Sequence, residues 1–411
     1  MIRKYRRIIA YILMAALLLG LSGCATWDNF NRAFINPPSE DIETVKIAVL
    51  EPLTGEDAKA AEDEIAGIKL AFKLFPTVLG KDVELVFYDT KSNIEDLKEA
   101  AQTICSDEAG ISIVLGSYGS AMSIAASDIF KEHFMPAIAI TCTNPLLTRT
   151  NSLYSRVCYI DLYEAAGAAE FVYKYLGTAD VAILTQRNND YSKAKGEEFS
   201  ERISALSGKD YIPVTAYDQA NTDLEAILKT FSLAGAKVIY LPENAETAKA
   251  VIAKAEELAL EFDWVGPSDW DGAGLEGVYF TVDYAADEQQ TDTAKKFNEA
   301  YAAEYGSGKT PSQEAALGFD AYLLALRGME DADSSMIGSL ISFCIRQVKD
   351  LEGATGIIMI NEIGDPVKSI MINKSSGGKQ TTVYTVDPAR IAGDLGSTDN
   401  NDPASTGKEQ Q

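Results

Sequence analysis

The chain has 411 residues, with 61 acidic side chains against 36 Lys and Arg, a formal net charge of −25 and a single histidine. A surface this acidic repels nucleic acid and leaves no broad basic patch, so any anion would be held locally by backbone amides and hydroxyls. His133, in "FKEHFMP" between a helical pattern and a proline, reads as a surface or packed residue, which removes most hydrolase triads and histidine metal sites.

The first elements are not part of a fold. "MIRKYRRIIAYILMAALLLGLSGC" gives a basic start, an apolar run from Ile8 to Leu19 and small residues ahead of Cys24. The run is shorter than the roughly 20 apolar residues of a spanning helix. It reads as a secretory signal over 1–23 whose "LSGC" is a lipobox, with Cys24 lipidated and the new N-terminus. Residues 24–43, polar with a Pro-Pro pair, read as a tether. Residues 386–411 lack apolar periodicity and are expected to be disordered.

The stretch between is long enough for two domains. It opens with strand-like "VKIAVL", a helix containing Ile65, Ile68, Leu70 and Phe72, strand-like "VELVFYD", helical "IEDLKEAAQTIC" and strand-like "ISIVLG". This β-α-β-α-β order predicts a parallel sheet covered on both faces. The order returns in "ADVAILT", "YIPVTAYD" and "KVIYL" with their helices, where Leu224, Ile227, Leu228 and Phe231 make an i, i+3, i+4, i+7 stripe. Two further helices and a hairpin-like "GIIMINEIGDPVKSIMINK" complete the two lobes, so the chain crosses between them more than once.

No spacing nominates a reaction. "GSGKT" at 306–310 lacks the first glycine, the preceding strand and the following helix of a phosphate loop, and reads as a helix C-cap. No G-x-S-x-G elbow occurs, and Cys105, Cys142, Cys158 and Cys344 have no metal-ligand spacing. A Cys142–Cys158 disulfide and four separate small apolar residues both stay open. Neither metal nor cofactor is expected. An extracytoplasmic α/β hydrolase remains a remote alternative.

What remains is a set of loops at strand C-terminal ends, where open α/β sheets place ligands. The Gly116–Ser120 loop and "TCTNP" offer glycines, amides and hydroxyls, while Tyr191 and Asp269 come from the second unit. Across a cleft, such groups suit a small zwitterion: carboxylate to the first lobe, ammonium to the second.

In order along residues 45–375, "KIAVLEPLTG", "VLGSYGSAMSIAASDIF", "PAIAITCTNPLLT", "DYSKAKGEEF", "LEGVYF", "AALGFDAYLLAL" and "GDPVKSIMI" resemble the leucine/isoleucine/valine-type solute-binding proteins of ABC transporters. The resemblance implies a type I periplasmic-binding fold of two Rossmann-like lobes with several hinge crossovers, here 44–157 plus 287–352 and 158–286 plus 353–385. It implies carboxylate binding by Ser120 with Tyr118, Gly119, Thr141, Cys142 and Thr143. Tyr191 matches the tyrosine that meets the ammonium, and Asp269 sits one position from the family's acid, where Ser268 falls. Small residues near Ala60 and in "PENAETA" replace enclosing aromatics, which leaves room for a ligand other than a branched-chain amino acid. The implied protein is a monomeric lipoprotein, held to the membrane by its lipid alone, that delivers an amino acid or similar small polar solute to an ABC permease. A ligand-sensing or envelope-assembly lipoprotein of the same fold is the alternative.

Overall fold

The computed structural model describes residues 42–391, apart from 107, 219–222, 287–290 and 389–390. The signal segment, Cys24, most of the expected tether and residues 392–411 lie outside the described residues.

Six strands form the first sheet: β1 (Thr44–Glu51), β2 (Thr77–Val78), β3 (Lys81–Asp89), β4 (Ile111–Gly116), β5 (Ala137–Ala139) and β6 (Tyr154–Arg156), in the order β2-β3-β1-β4-β5-β6. All neighbours pair in parallel except the short β2. Strand β1 is apolar almost throughout because both faces are covered. Its alternate residues serve opposite layers: Ile47 and Val49 meet Phe319 and Tyr322, while Ala48 and Leu50 meet Leu97, Ala101 and Phe130.

The second sheet repeats the plan with β7 (Val181–Gln186), β8 (Val214–Tyr217), β9 (Val238–Tyr240), β10 (Asp263–Gly266) and β11 (Val278–Val282). These five are parallel. Three strands of a small separate sheet follow, β12 (Leu351–Gly353), β13 (Gly356–Ile360) and β14 (Pro366–Val367). Then β15 (Ile370–Ser376) and β16 (Lys379–Val386) extend the second sheet antiparallel from β11.

The hairpin expected over "GIIMINEIGDPVKSIMINK" is therefore not one unit. Ile358 and Ile360 pack into the first core, while Ile370 and Ile372 pack into the second. Residues 353–360, expected with the second lobe, belong to the first because β13 is apolar at alternate positions that reach that core. Val386 and Ile391, placed by the sequence reading in the tail, are buried in the second core. Among the described residues the chain passes between cores at 157–160, 283–286 and 366–369.

Local signals set the helix ends. Asn93, Asn189, Asp223, Asn244, Thr291 and Ser312 each accept a backbone N–H of the first turn with their side chain. The helix Asp292–Tyr305 ends at Gly306 with φ +109°, as expected for "GSGKT". His133 follows the last residue of the Gly119–Glu132 helix and is exposed.

The Ala58–Leu74 and Gln313–Ala332 helices approach so closely that only glycine fits at the crossing. A Cβ on Gly67 would stand 1.9 Å from the Ala315 carbonyl oxygen, and one on Gly318 would stand 2.2 Å from the Glu64 oxygen. Gly67→Ala should force these helices apart and lower stability by about 1–3 kcal/mol or more, read as a shifted urea midpoint. An unchanged midpoint would show that the crossing is not tightly packed.

Candidate functional site

The first-lobe loop leaves β4 at Gly116 and enters the Gly119–Glu132 helix. Gly116 has φ +114°, and a Cβ there would lie 2.4 Å from the Leu50 oxygen and 2.5 Å from Glu51 Oε1. No other residue fits without displacing Glu51, which holds the loop: its Oε2 accepts the Tyr118 N–H at 2.9 Å. The Gly119 N–H donates to Thr141 Oγ1 at 3.1 Å, and Thr141 in turn donates to Glu64 Oε1 at 2.7 Å. Glu51 and Glu64 are wholly buried beneath the loop.

The neighbouring loop after β5 carries Thr141, Cys142 and Thr143. Cys142 is buried, and its carbonyl accepts from Arg156 and from Cys158 Sγ, the latter at 3.2 Å. All four cysteines among the described residues are free, so Cys142 and Cys158 form no disulfide. Ser120, in the first turn of the Gly119–Glu132 helix, is half-buried. Thr143 is half-buried, and its carbonyl accepts the Asp161 N–H at 3.3 Å. The fold thus brings Tyr118, Gly119, Ser120, Thr141, Cys142 and Thr143 to one edge of the first sheet. The Thr141 hydroxyl and the Cys142 carbonyl are engaged in supporting the loops.

The second lobe supplies Tyr191 from the first turn of the Asp190–Ser207 helix, opened by the Asn189 cap. The ring is 36% exposed, but its hydroxyl turns inward and accepts from Lys195 Nζ at 2.5 Å, and the ammonium lies 4.3 Å from the ring centroid. Lys195 is fully buried against Glu164, with Asp161 at 3.6 Å. Glu164 also accepts the Ser268 N–H at 2.7 Å and the Thr281 hydroxyl, so one carboxylate anchors both the Tyr191 helix and the loop carrying Asp269. These donors and Lys195 outweigh desolvation and hold the Glu164 carboxyl below its ordinary value. Glu243 plays a similar part nearby, accepting the Gln186 N–H at 2.7 Å and the Ser192 hydroxyl.

The two sets of loops face each other. Asp269, exposed as a residue, acts electrostatically on the hydroxyls of both Tyr118 and Tyr191, which belong to opposite lobes. Desolvation pushes the Asp269 carboxyl up while Lys195 pulls it down. The arrangement offers hydroxyl and amide groups on one wall and an aromatic ring with a carboxylate on the other. Among the described residues, no group of three or more His, Cys, Asp or Glu could hold a metal ion.

Several supporting residues escaped the sequence reading: Glu51, Glu64, Asp161, Glu164, Lys195 and Glu243. Their signal was position. Glu64 falls on the buried face of its helix with Ala61, Ile65 and Ile68, and Lys195 on that of its own with Ser192, Gly196 and Phe199. A charge in an apolar stripe is expected to have a buried partner.

Burial pushes the Glu64 carboxyl up to about 8, and burial with the charge of Glu64 raises Glu51 as well. In the unfolded chain Glu64 titrates near its ordinary 4.5. Folding therefore takes up a proton between these values, and stability falls as pH rises from about 4.5 to about 8, levelling above. Glu64→Gln keeps an acceptor for Thr141 and removes this titration. Chemical denaturation across that range should give a shallower decline in the variant, and an identical slope would place the proton elsewhere.

A family model described as periplasmic binding protein matches residues 44–378. The leucine-, isoleucine-, valine-, threonine- and alanine-binding protein of Pseudomonas aeruginosa is 22% identical over 232 residues, 55% of this chain and 60% of that protein. The chain thus matches less than two thirds of that relative's length. A leucine-binding protein of Thermotoga maritima is 31% identical, with TM-score 0.71 over 84% of this chain and all of its own. A branched-chain amino acid transporter substrate-binding protein of Streptococcus pneumoniae, solved with isoleucine, shares the fold at 22% identity and TM-score 0.68, over 84% of this chain and 99% of its own. The parallel two-sheet architecture and the match across nearly all described residues agree: the chain belongs to the periplasmic binding protein family.

Proposed function

We propose that this protein is an extracytoplasmic lipoprotein, anchored through Cys24, whose two lobes close on an amino acid or similar small polar solute and deliver it to an ABC permease. The observation that carries this reading is that buried carboxyl groups set loops of both lobes: Glu51 and Glu64 hold the Tyr118 and Thr141 loops, and Glu164 holds Lys195 under Tyr191 and the loop of Ser268 and Asp269. A solute seated between these loops meets Ser120 and Thr143 on one wall and Asp269 with the Tyr191 ring on the other. It touches both walls only when the lobes are together, so its binding shifts the population toward the closed form. A permease that recognises the closed form then distinguishes loaded from empty protein.

The ligand carboxylate is assigned to hydrogen bonds from Ser120, Thr143 and loop amides, and its ammonium to Asp269. Lys195 already occupies the Tyr191 hydroxyl, which leaves Asp269 as the acid of the second wall facing the cleft. The anchor rests on "LSGC"; among the described residues no helix is long and apolar enough to cross a membrane.

A thermal-shift screen of protein lacking residues 1–24, unfolded and refolded to strip carried-over solute, tests the reading against amino acids, amides, short peptides, aromatic acids and nucleosides. A ligand at a hundred times its Kd stabilises the fold by about 2.7 kcal/mol. The expected outcome is a hit among α-amino acids that Ser120→Ala and Asp269→Asn each weaken by about 1–3 kcal/mol, the loss of a partner to a charged group. Equal affinity in both variants would show that the solute binds elsewhere. Silence from every amino acid would exclude amino-acid uptake.

A further inference from the structure

The three connections between the cores converge on one buried ammonium. Lys368 lies in the third connection, 366–369, and its side chain is wholly buried. Its Nζ stands 3.0 Å from Asp283 Oδ1, at the start of the second connection, and 4.9 Å from the ring centroid of Tyr159, in the first. It also donates to Thr355 Oγ1 at 3.0 Å, and Thr355 donates to Asp320 Oδ2 at 2.6 Å on the long first-lobe helix Gln313–Ala332.

The Tyr159 hydroxyl donates to the Ser369 carbonyl, and the Tyr163 hydroxyl to the Lys368 carbonyl at 3.4 Å. The third connection is thus tied to each of the other two, to the second through Asp283 and to the first through Tyr159.

We infer that Lys368 and Asp283 form a hinge pin, a buried ion pair that fixes how the two lobes are set relative to each other without touching the ligand. A charge pair removed from water contributes little net stability, because desolvation offsets the attraction. What it does supply is a fixed geometry: Lys368 satisfies Asp283, Thr355 and the Tyr159 face together only when all three connections keep their relative positions. The hinge bends about this point, and the lobe separation of the empty protein depends on it. The inference holds whichever solute binds.

The test is hydrogen exchange on the ligand-free protein, followed by mass spectrometry, with small-angle scattering in parallel. Lys368→Met leaves Asp283 buried and unpaired and can fail to fold, so the Asp283→Asn/Lys368→Met double variant, which removes both charges, is measured beside it. Amides at 157–160, 283–286 and 366–369 should exchange about tenfold faster or more in the double variant, a local opening rather than a global one. The sheet cores of both lobes should keep their protection, and the radius of gyration should increase. Faster exchange spread evenly over both cores, or confined to one connection, would overturn the hinge pin. So would unchanged exchange at all three. No ligand enters the measurement, so failure of the hinge pin is distinct from failure of the uptake reading.

Discussion

A buried carboxylate must be given hydrogen-bond donors, and around this cleft the donors it takes are the loops themselves. Glu51 draws in the Tyr118 N–H, Glu64 draws in Thr141 and through it the Gly119 N–H, and Glu164 gathers Lys195, Thr281 and the Ser268 N–H. Removing one of these donors would cost more than an ordinary hydrogen bond contributes, because the buried oxygen it serves would be left unsatisfied. The loop positions therefore follow from the acids beneath them. The strands that carry β1 and the helices that carry Glu64, Glu164 and Lys195 are rigid and covered by apolar layers, so the geometry of the cores reaches the binding walls through short chains of bonds.

The same logic couples the walls to the hinge. Arg156, fully buried at the end of β6, bonds the Cys142 carbonyl, pairs with Asp365 through Nε at 2.7 Å, and donates to Thr148 at 2.9 Å. It thereby ties the Thr141–Thr143 loop of the first lobe to the chain entering the third connection. Asp161 plays the reciprocal part, reaching from the second lobe to Thr143 and standing near Lys195. A change in lobe setting thus moves groups on both walls of the cleft through bonded neighbours, a physical route by which occupancy and closure affect each other.

Much of the fold was legible because it rests on apolar period. The apolar β1, β4 and β7 runs and the Leu224–Phe231 stripe are local signals, and they placed two parallel sheets with helices on their faces. The division of "GIIMINEIGDPVKSIMINK" was not legible, since nothing in its alternation says that Ile358 packs on one core and Ile370 on the other. That choice is made by tertiary contact. The loops proposed here for binding stood out in the sequence by their glycines and hydroxyls. The supporting acids were hidden by composition, because in a chain with 61 acidic residues a single Glu draws no notice. Lys195 and Lys368 show the same limit from the other side: each reads as a solvated charge until its helix face or its connection is seen to be buried.

The central claim is that one cleft, walled by the Tyr118–Ser120 and Thr141–Thr143 loops and by Tyr191 and Asp269, receives the solute. A crystal structure of the protein with the strongest hit of the solute screen tests it most directly. The account predicts the solute bound between Ser120 and Asp269, its anionic end on the first lobe, with both lobes in contact. Solute bound to one lobe alone, or at a surface away from these residues, would contradict it.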